Sequence, residues 1–194
     1  MLALGIDGTY FAPGDEIVEP NTAAFWGRLD FGPNIQALRW FISAVWPLVR
    51  QQVPPARFTI MGFNPGDEVR DLASAPGVTL MPNVPDLRKT ARQHAAAVFP
   101  FVSGGGTKNK LLEAAAMAIP IVCTPTATSG LRGELALTVV TDAEAFARAL
   151  VDVWRDPERA RRGAAARDWV LKNHTWDATA RAAIASIAPR GNGR

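Results

Sequence analysis

The sequence predicts an α/β protein built on a doubly wound parallel sheet. Two observations carry that expectation. Short apolar runs of strand length alternate with longer stretches of helical spacing through most of the chain. A glycine run, Gly104-Gly105-Gly106, joins one apolar run to an Ala-rich helical stretch. In this class ligands bind beyond the carboxyl ends of the strands, where such a loop lies.

The elements follow in order. Ala23 to Leu29 is an apolar run of strand length. After Gly32-Pro33-Asn34, the residues Ile35, Leu38, Ile42, Val45, Trp46 and Val49 recur at helical spacing, and Pro47 predicts a kink near the end. Arg57 to Met61 reads as a strand, Asp67 to Ala73 as a helix and Val78 to Met81 as a strand. Asp86 is placed to cap a short helix reaching His94, and Ala95 to Phe101 forms the strand before the glycines. Leu111 to Ala118 reads as a helix, then Pro120–Thr124 and Leu135–Val140 as strands. Beyond Asp142 the pattern is helical, with starts at Asp142 and Asp156-Pro157. Trp40, Trp46, Trp154, Trp169 and Trp176 occupy apolar helical positions and are expected in the core.

A chain of 194 residues can bury a sizeable core. The net charge is a modest +3, and arginines between Arg148 and Arg167 are interleaved with acids. That pattern is a solvated helix face, without the basic stripe and aromatics of a nucleic-acid interface. The lone Cys123 sits in an apolar run and fits a reducing, cytoplasmic setting. No run reaches the length of a spanning helix. His94 and His174 have no ligand-spaced partner, so no metal site is expected. Ser103 and Ser129 lack the pairing of a hydrolase triad.

The segment Gly104-Gly105-Gly106-Thr107-Lys108-Asn109-Lys110-Leu111-Leu112-Glu113 carries the chemistry. Glycines permit close approach of backbone to ligand, and a helix N-terminus offers free N–H groups to a phosphate. Lys108 and Lys110 add positive charge, and Glu113 lies on the Lys110 side of the helix. A carboxylate one turn inside such a helix suits a ribose hydroxyl pair. The order of residues fits neither a P-loop nor a dinucleotide fingerprint. The expected ligand is a nucleoside diphosphate.

Gly104 to Glu113, followed by Ala114-Ala115-Ala116 and Pro120-Ile121-Val122, resembles the signature of group 1 glycosyltransferases, retaining enzymes of the GT-B fold. Leu4-Gly5-Ile6-Asp7 through Phe11-Ala12-Pro13 is similar to the stretch where that family enters its second domain. Phe25-Trp26-Gly27-Arg28-Leu29, Asn83-Val84-Pro85-Asp86 and Thr124 to Leu131 resemble further family segments. The resemblance implies a Rossmann-like domain, the C-terminal, donor-binding half of a GT-B enzyme of the exopolysaccharide branch. Family members often carry a glutamate at the place of Gly105, and glycines at those of Asn83 and Ala118.

By this resemblance, Arg28, Lys110 and Glu113 form the catalytic group, the two cations steadying the departing pyrophosphate. Gly104, Gly105, Gly106, Thr107 and Lys108 hold the phosphates, and Val84 borders the base. No cofactor or metal is required. The donor is a nucleoside diphosphate sugar, and the acceptor is a saccharide or lipid-linked. The expected divisions are 1–22 as interdomain lead-in, 23–174 as nucleotide-sugar domain, 175–188 as C-terminal helix and 189–194 as disordered tail. An N-terminal acceptor domain is the implied partner, with peripheral membrane association of the intact enzyme, and the fragment alone is expected to be inactive. The rivals are half of a GT-B nucleotide-sugar epimerase and a stand-alone nucleotide-sugar-binding module.

Overall fold

The computed structural model describes residues 5–105 and 109–187, the side chains as far as residue 184. Six strands form one sheet: β1 (Glu19–Arg28), β2 (Arg57–Phe63), β3 (Val78–Pro82), β4 (His94–Phe99), β5 (Ile121–Cys123) and β6 (Thr138–Val139). All neighbours run parallel in the order β3-β2-β1-β4-β5-β6. Ala23, Ala24, Phe25 and Trp26 are buried in succession, so both faces of β1 are covered. The expected doubly wound, Rossmann-like class is therefore the observed one.

The helices are α1 (Gly32–Trp40), α2 (Trp46–Gln52), α3 (Asp67–Leu72), α4 (Leu87–Arg92), α5 (Asn109–Ala116), α6 (Ala143–Arg155), α7 (Arg159–Asn173) and α8 (Trp176–Ile187). A π-helical turn, Phe41–Val45, lies between α1 and α2. Pro47 has no N–H to give the carbonyl four residues back, and its ring would crowd it. The chain widens just upstream instead, and the Trp46 N–H reaches the Phe41 carbonyl. The widened turn turns Phe41 into the core, where it packs on Phe58 of β2 and Phe146 of α6.

Several boundaries differ from expectation. β1 begins at Glu19, inside the lead-in segment, because its first residues pair with β4 through Glu19 and His94. β6 is two residues long, limited by the short β5 that is its only neighbour among the described residues. Asp156 accepts from the Glu158 N–H at 2.8 Å and so closes a turn ahead of α7. Trp176 is 57% exposed at the start of α8 and is not core. The 189–194 tail lies outside the described residues. Asp86 and Asp142 cap α4 and α6 as their positions predicted.

The lead-in segment is strapped to the domain by arginines. Arg88 donates to the Tyr10 carbonyl, Arg92 to the Ala12 carbonyl and both Glu16 oxygens, and Arg167 to the Gly8 and Phe11 carbonyls. Arg167 also donates to the Ala116 carbonyl at the end of α5. That helix ends in a Schellman-type turn, with Ala118 N–H bonded to Ala115 and Ile119 N–H to Ala114. Ala118 adopts φ +56° and Asn83 φ +55°, so the two departures from glycine both stand in the left-handed region.

Candidate functional site

The strand order reverses between β1 and β4, which leave the sheet centre in opposite directions. Their carboxyl ends bound a cleft of about 580 Å³ lined by Trp26, Arg28, Asn34, Gly105, Lys110 and Glu113, among others. This is the switch-point crevice where open α/β sheets bind ligands.

Gly27 and Gly62 oppose one another at the ends of β1 and β2, with φ +143° and +155°. A Cβ on Gly27 would run into the Lys110 ammonium, and one on Gly62 into the Gly27 carbonyl. Bare backbone here is what lets the lysine reach the strand end. The Lys110 Nζ donates to Asn34 Oδ1 at 2.7 Å and stands 4.6 Å from the centre of the Phe25 ring. Asn34 Nδ2 donates in turn to the Arg28 carbonyl at 2.6 Å. Asn34 is buried and ties the cation of α5 to the backbone of β1.

Arg28 turns to an acid that sequence reasoning missed. Its guanidinium holds Asp30 through two bonds of 3.1 and 3.0 Å while remaining largely exposed. The pair keeps the Asp30 carboxyl below its ordinary range. Glu113 is largely withdrawn from water, and Trp26 Nε1 donates to its Oε2 at 2.8 Å. Burial pushes the Glu113 carboxyl up, while the indole bond and the Lys110 charge oppose that shift.

A second cleft of about 410 Å³ adjoins the first and shares Trp26, Gly27, Arg28 and Glu113 with it. Its far wall holds Val84, Tyr10, Phe63 and Arg88. The left-handed Asn83 turns the chain after β3 so that Val84 reaches this wall. Asp86 is the α4 cap, bonded to the Arg88 N–H and paired with its guanidinium.

The structure thus brings Arg28, Lys110, Glu113 and Gly105 to one cleft and Val84 to its neighbour. Gly104 lies beside them with φ +95°. Gly106, Thr107 and Lys108 lie outside the described residues. Trp26 and Asn34 were not anticipated. A tryptophan in a strand reads as core until its partner is known, and an asparagine after Pro33 reads as a helix start. A further hollow of about 210 Å³, bounded by Pro13, Arg92, His94 and Arg159, lies by the amino end of β4 and gathers none of the candidate residues. No acid, histidine and cysteine cluster suited to a metal occurs among the described residues. Burial pushes the Cys123 thiol up to about 12, so it is no nucleophile. No described helix is long and apolar enough to cross a membrane.

A six-stranded parallel sheet whose switch point gathers cations and a largely buried carboxylate defines a protein of the Rossmann-like α/β class. The chain belongs to the family of group 1 glycosyl transferases, which it matches over residues 20–156. No curated protein matches it significantly. Among solved structures it is similar to S. aureus TarM, with a TM-score of 0.72 and 14% identity, over 90% of this chain and 36% of that one. Sucrose-phosphate synthase from Thermosynechococcus elongatus aligns at TM-score 0.74 and 18% identity, over 95% of this chain and 51% of the other. HepE from Anabaena, solved with UDP and glucose, aligns at 0.72 and 11%, over 95% and 55%. These likenesses show that the chain has the Rossmann-like α/β fold of one part of those GT-B structures. The chain spans about a third to a half of those structures.

Proposed function

We propose that this chain is the donor-binding domain of a retaining glycosyltransferase. The intact enzyme moves a hexose from a nucleoside diphosphate sugar to a saccharide or lipid-linked acceptor, in exopolysaccharide assembly at the cytoplasmic side of a membrane. The observation that carries the reading is the meeting of Lys110, Arg28 and Glu113 where the strand order reverses.

The two adjoining clefts suit the three parts of a nucleotide. The diphosphate lies by Lys110 and Arg28, the ribose at the shared wall by Glu113, and the base beside Val84. Breaking a sugar–phosphate bond builds negative charge on the departing phosphate. The Lys110 ammonium, already held in place by Asn34, opposes that charge without reorganising. Arg28 adds a second cation by turning from Asp30 to the phosphate, a short movement for an exposed side chain. These two cations and the glycine loop take the part a divalent ion plays elsewhere, so no metal is required. Front-face attack, with the phosphate as base, needs no side-chain nucleophile from this domain. The facing domain supplies the acceptor site, and the isolated chain binds the donor without transferring sugar. UDP in the HepE structure and in that of the pneumococcal O-GlcNAc transferase GtfA supports the choice of ligand.

Titration calorimetry of the folded chain with UDP, GDP and ADP, with and without EDTA, tests the reading. At least one should bind in the micromolar-to-millimolar range, unaffected by EDTA. No binding at millimolar ligand would refute it.

A further inference from the structure

We infer that Trp26 is a positioning residue for Glu113, holding one carboxylate oxygen so that the other meets a ribose hydroxyl pair. Ribose would then be selected over 2′-deoxyribose through an indole on β1. The inference rests on the donor-site reading above and deepens it.

Lys110 and Glu113 share one side of α5, at a spacing where opposite charges attract. The structure draws them to different partners. Asn34 Oδ1 accepts from Lys110 at 2.7 Å, and Trp26 Nε1 donates to Glu113 Oε2 at 2.8 Å. The indole is a rigid anchor: Trp26 is 2% exposed and meets Phe99 edge-on at 5.3 Å. Its backbone is fixed in the sheet opposite Met61. A glutamate has three rotatable bonds, and a partner held by the sheet removes most of that freedom before ligand arrives. Trp26 and Glu113 also sit on the wall shared by the two clefts, where a ribose between diphosphate and base would fall.

The test is Trp26→Phe in the 194-residue chain, which removes the N–H and keeps an aromatic ring on Phe99. Dissociation constants are measured for UDP and 2′-deoxy-UDP, with the GDP and ADP pairs in parallel and inorganic pyrophosphate as control. The native chain should favour the ribonucleotide by about tenfold or more, the scale of one charge-assisted hydrogen bond. Trp26→Phe should cut that preference to about threefold or less and leave pyrophosphate unchanged. Retention of the native preference in Trp26→Phe overturns the inference and spares the donor-site reading. Equal native affinity for the two sugars overturns it as well, because Glu113 then does not meet the ribose. Failure of the native chain to bind any of the diphosphates defeats the donor-site reading itself. Should Trp26→Phe not fold, 3-benzothienylalanine at position 26 keeps the ring shape without the N–H, and the same ratio decides.

Discussion

The amide of Asn34 links Lys110 to the backbone of Arg28, accepting from the Lys110 ammonium at 2.7 Å and donating to the Arg28 carbonyl at 2.6 Å. One buried side chain thereby sets both the lysine on α5 and the end of β1. Asn34→Ala should lower stability by about 1–3 kcal/mol, because the Arg28 carbonyl loses its donor. It should weaken diphosphate binding while leaving the bare nucleoside unaffected. Chemical denaturation and paired titrations with uridine and UDP check the two effects separately.

Glu113→Gln should separate function from stability. Burial pushes the native carboxyl up, and the Trp26 bond and the Lys110 charge oppose that shift. The raised value means this group favours the fold below its unfolded pKa and loses that contribution as pH rises through the folded one. Glutamine keeps an acceptor for the Trp26 N–H and carries no charge. The variant should melt at or above the native temperature at pH about 7, yet bind nucleoside diphosphate about 1–3 kcal/mol more weakly. An unchanged dissociation constant would leave Glu113 without a role in binding.

The end of α5 offers a stabilising change. Ala118 holds φ +56° at the C′ position of a Schellman turn, where glycine is unstrained. Ala118→Gly should raise stability by up to about 1 kcal/mol, the strain relief less the added freedom of the unfolded chain. Gly163 of α7 packs on the Ala118 carbonyl so closely that a Cβ would run into it. Gly163→Ala should therefore cost about 1–3 kcal/mol by forcing α5 and α7 apart. Thermal melts of the two variants give opposite signs.

Acid should weaken the fold through its histidines. His174 Nε2 accepts from the Arg132 N–H at 2.9 Å, which requires the neutral ring. Burial and the nearby Arg132 hold its pKa below 6.5, and burial does the same for His94. A depressed value means the contribution is present above the unfolded pKa and lost as pH falls through the folded one. Melting temperature should fall as pH drops below 6.5, and His174→Gln, which keeps an acceptor, should flatten the fall. An identical pH slope in that variant would remove His174 as a cause.

The sheet and its helices were legible because strand-length apolar runs and helical spacing report burial directly. Asp86 and Asp142 were legible as caps because their chemistry acts on the neighbouring backbone. The π-turn before Pro47 was not, since a proline announces a lost hydrogen bond but not which upstream turn absorbs it. Lys110, Glu113 and Arg28 stood out by residue type beside glycines. Their partners did not: Trp26 lies 87 residues from Glu113 and Asn34 76 from Lys110, and only the sheet order joins them. Asp30 escaped notice for another reason, as a short-range ion pair resembles any other surface pair.

The most direct test of the central claim, a phosphate site at Lys110, is calorimetry of the native chain and Lys110→Ala with UDP and with uridine, repeated with GDP and ADP and their nucleosides. The native chain should bind a diphosphate more tightly than its nucleoside. Lys110→Ala should abolish most of that difference and leave nucleoside affinity in place. Equal losses for diphosphate and nucleoside, or no diphosphate binding by the native chain, would contradict the assignment.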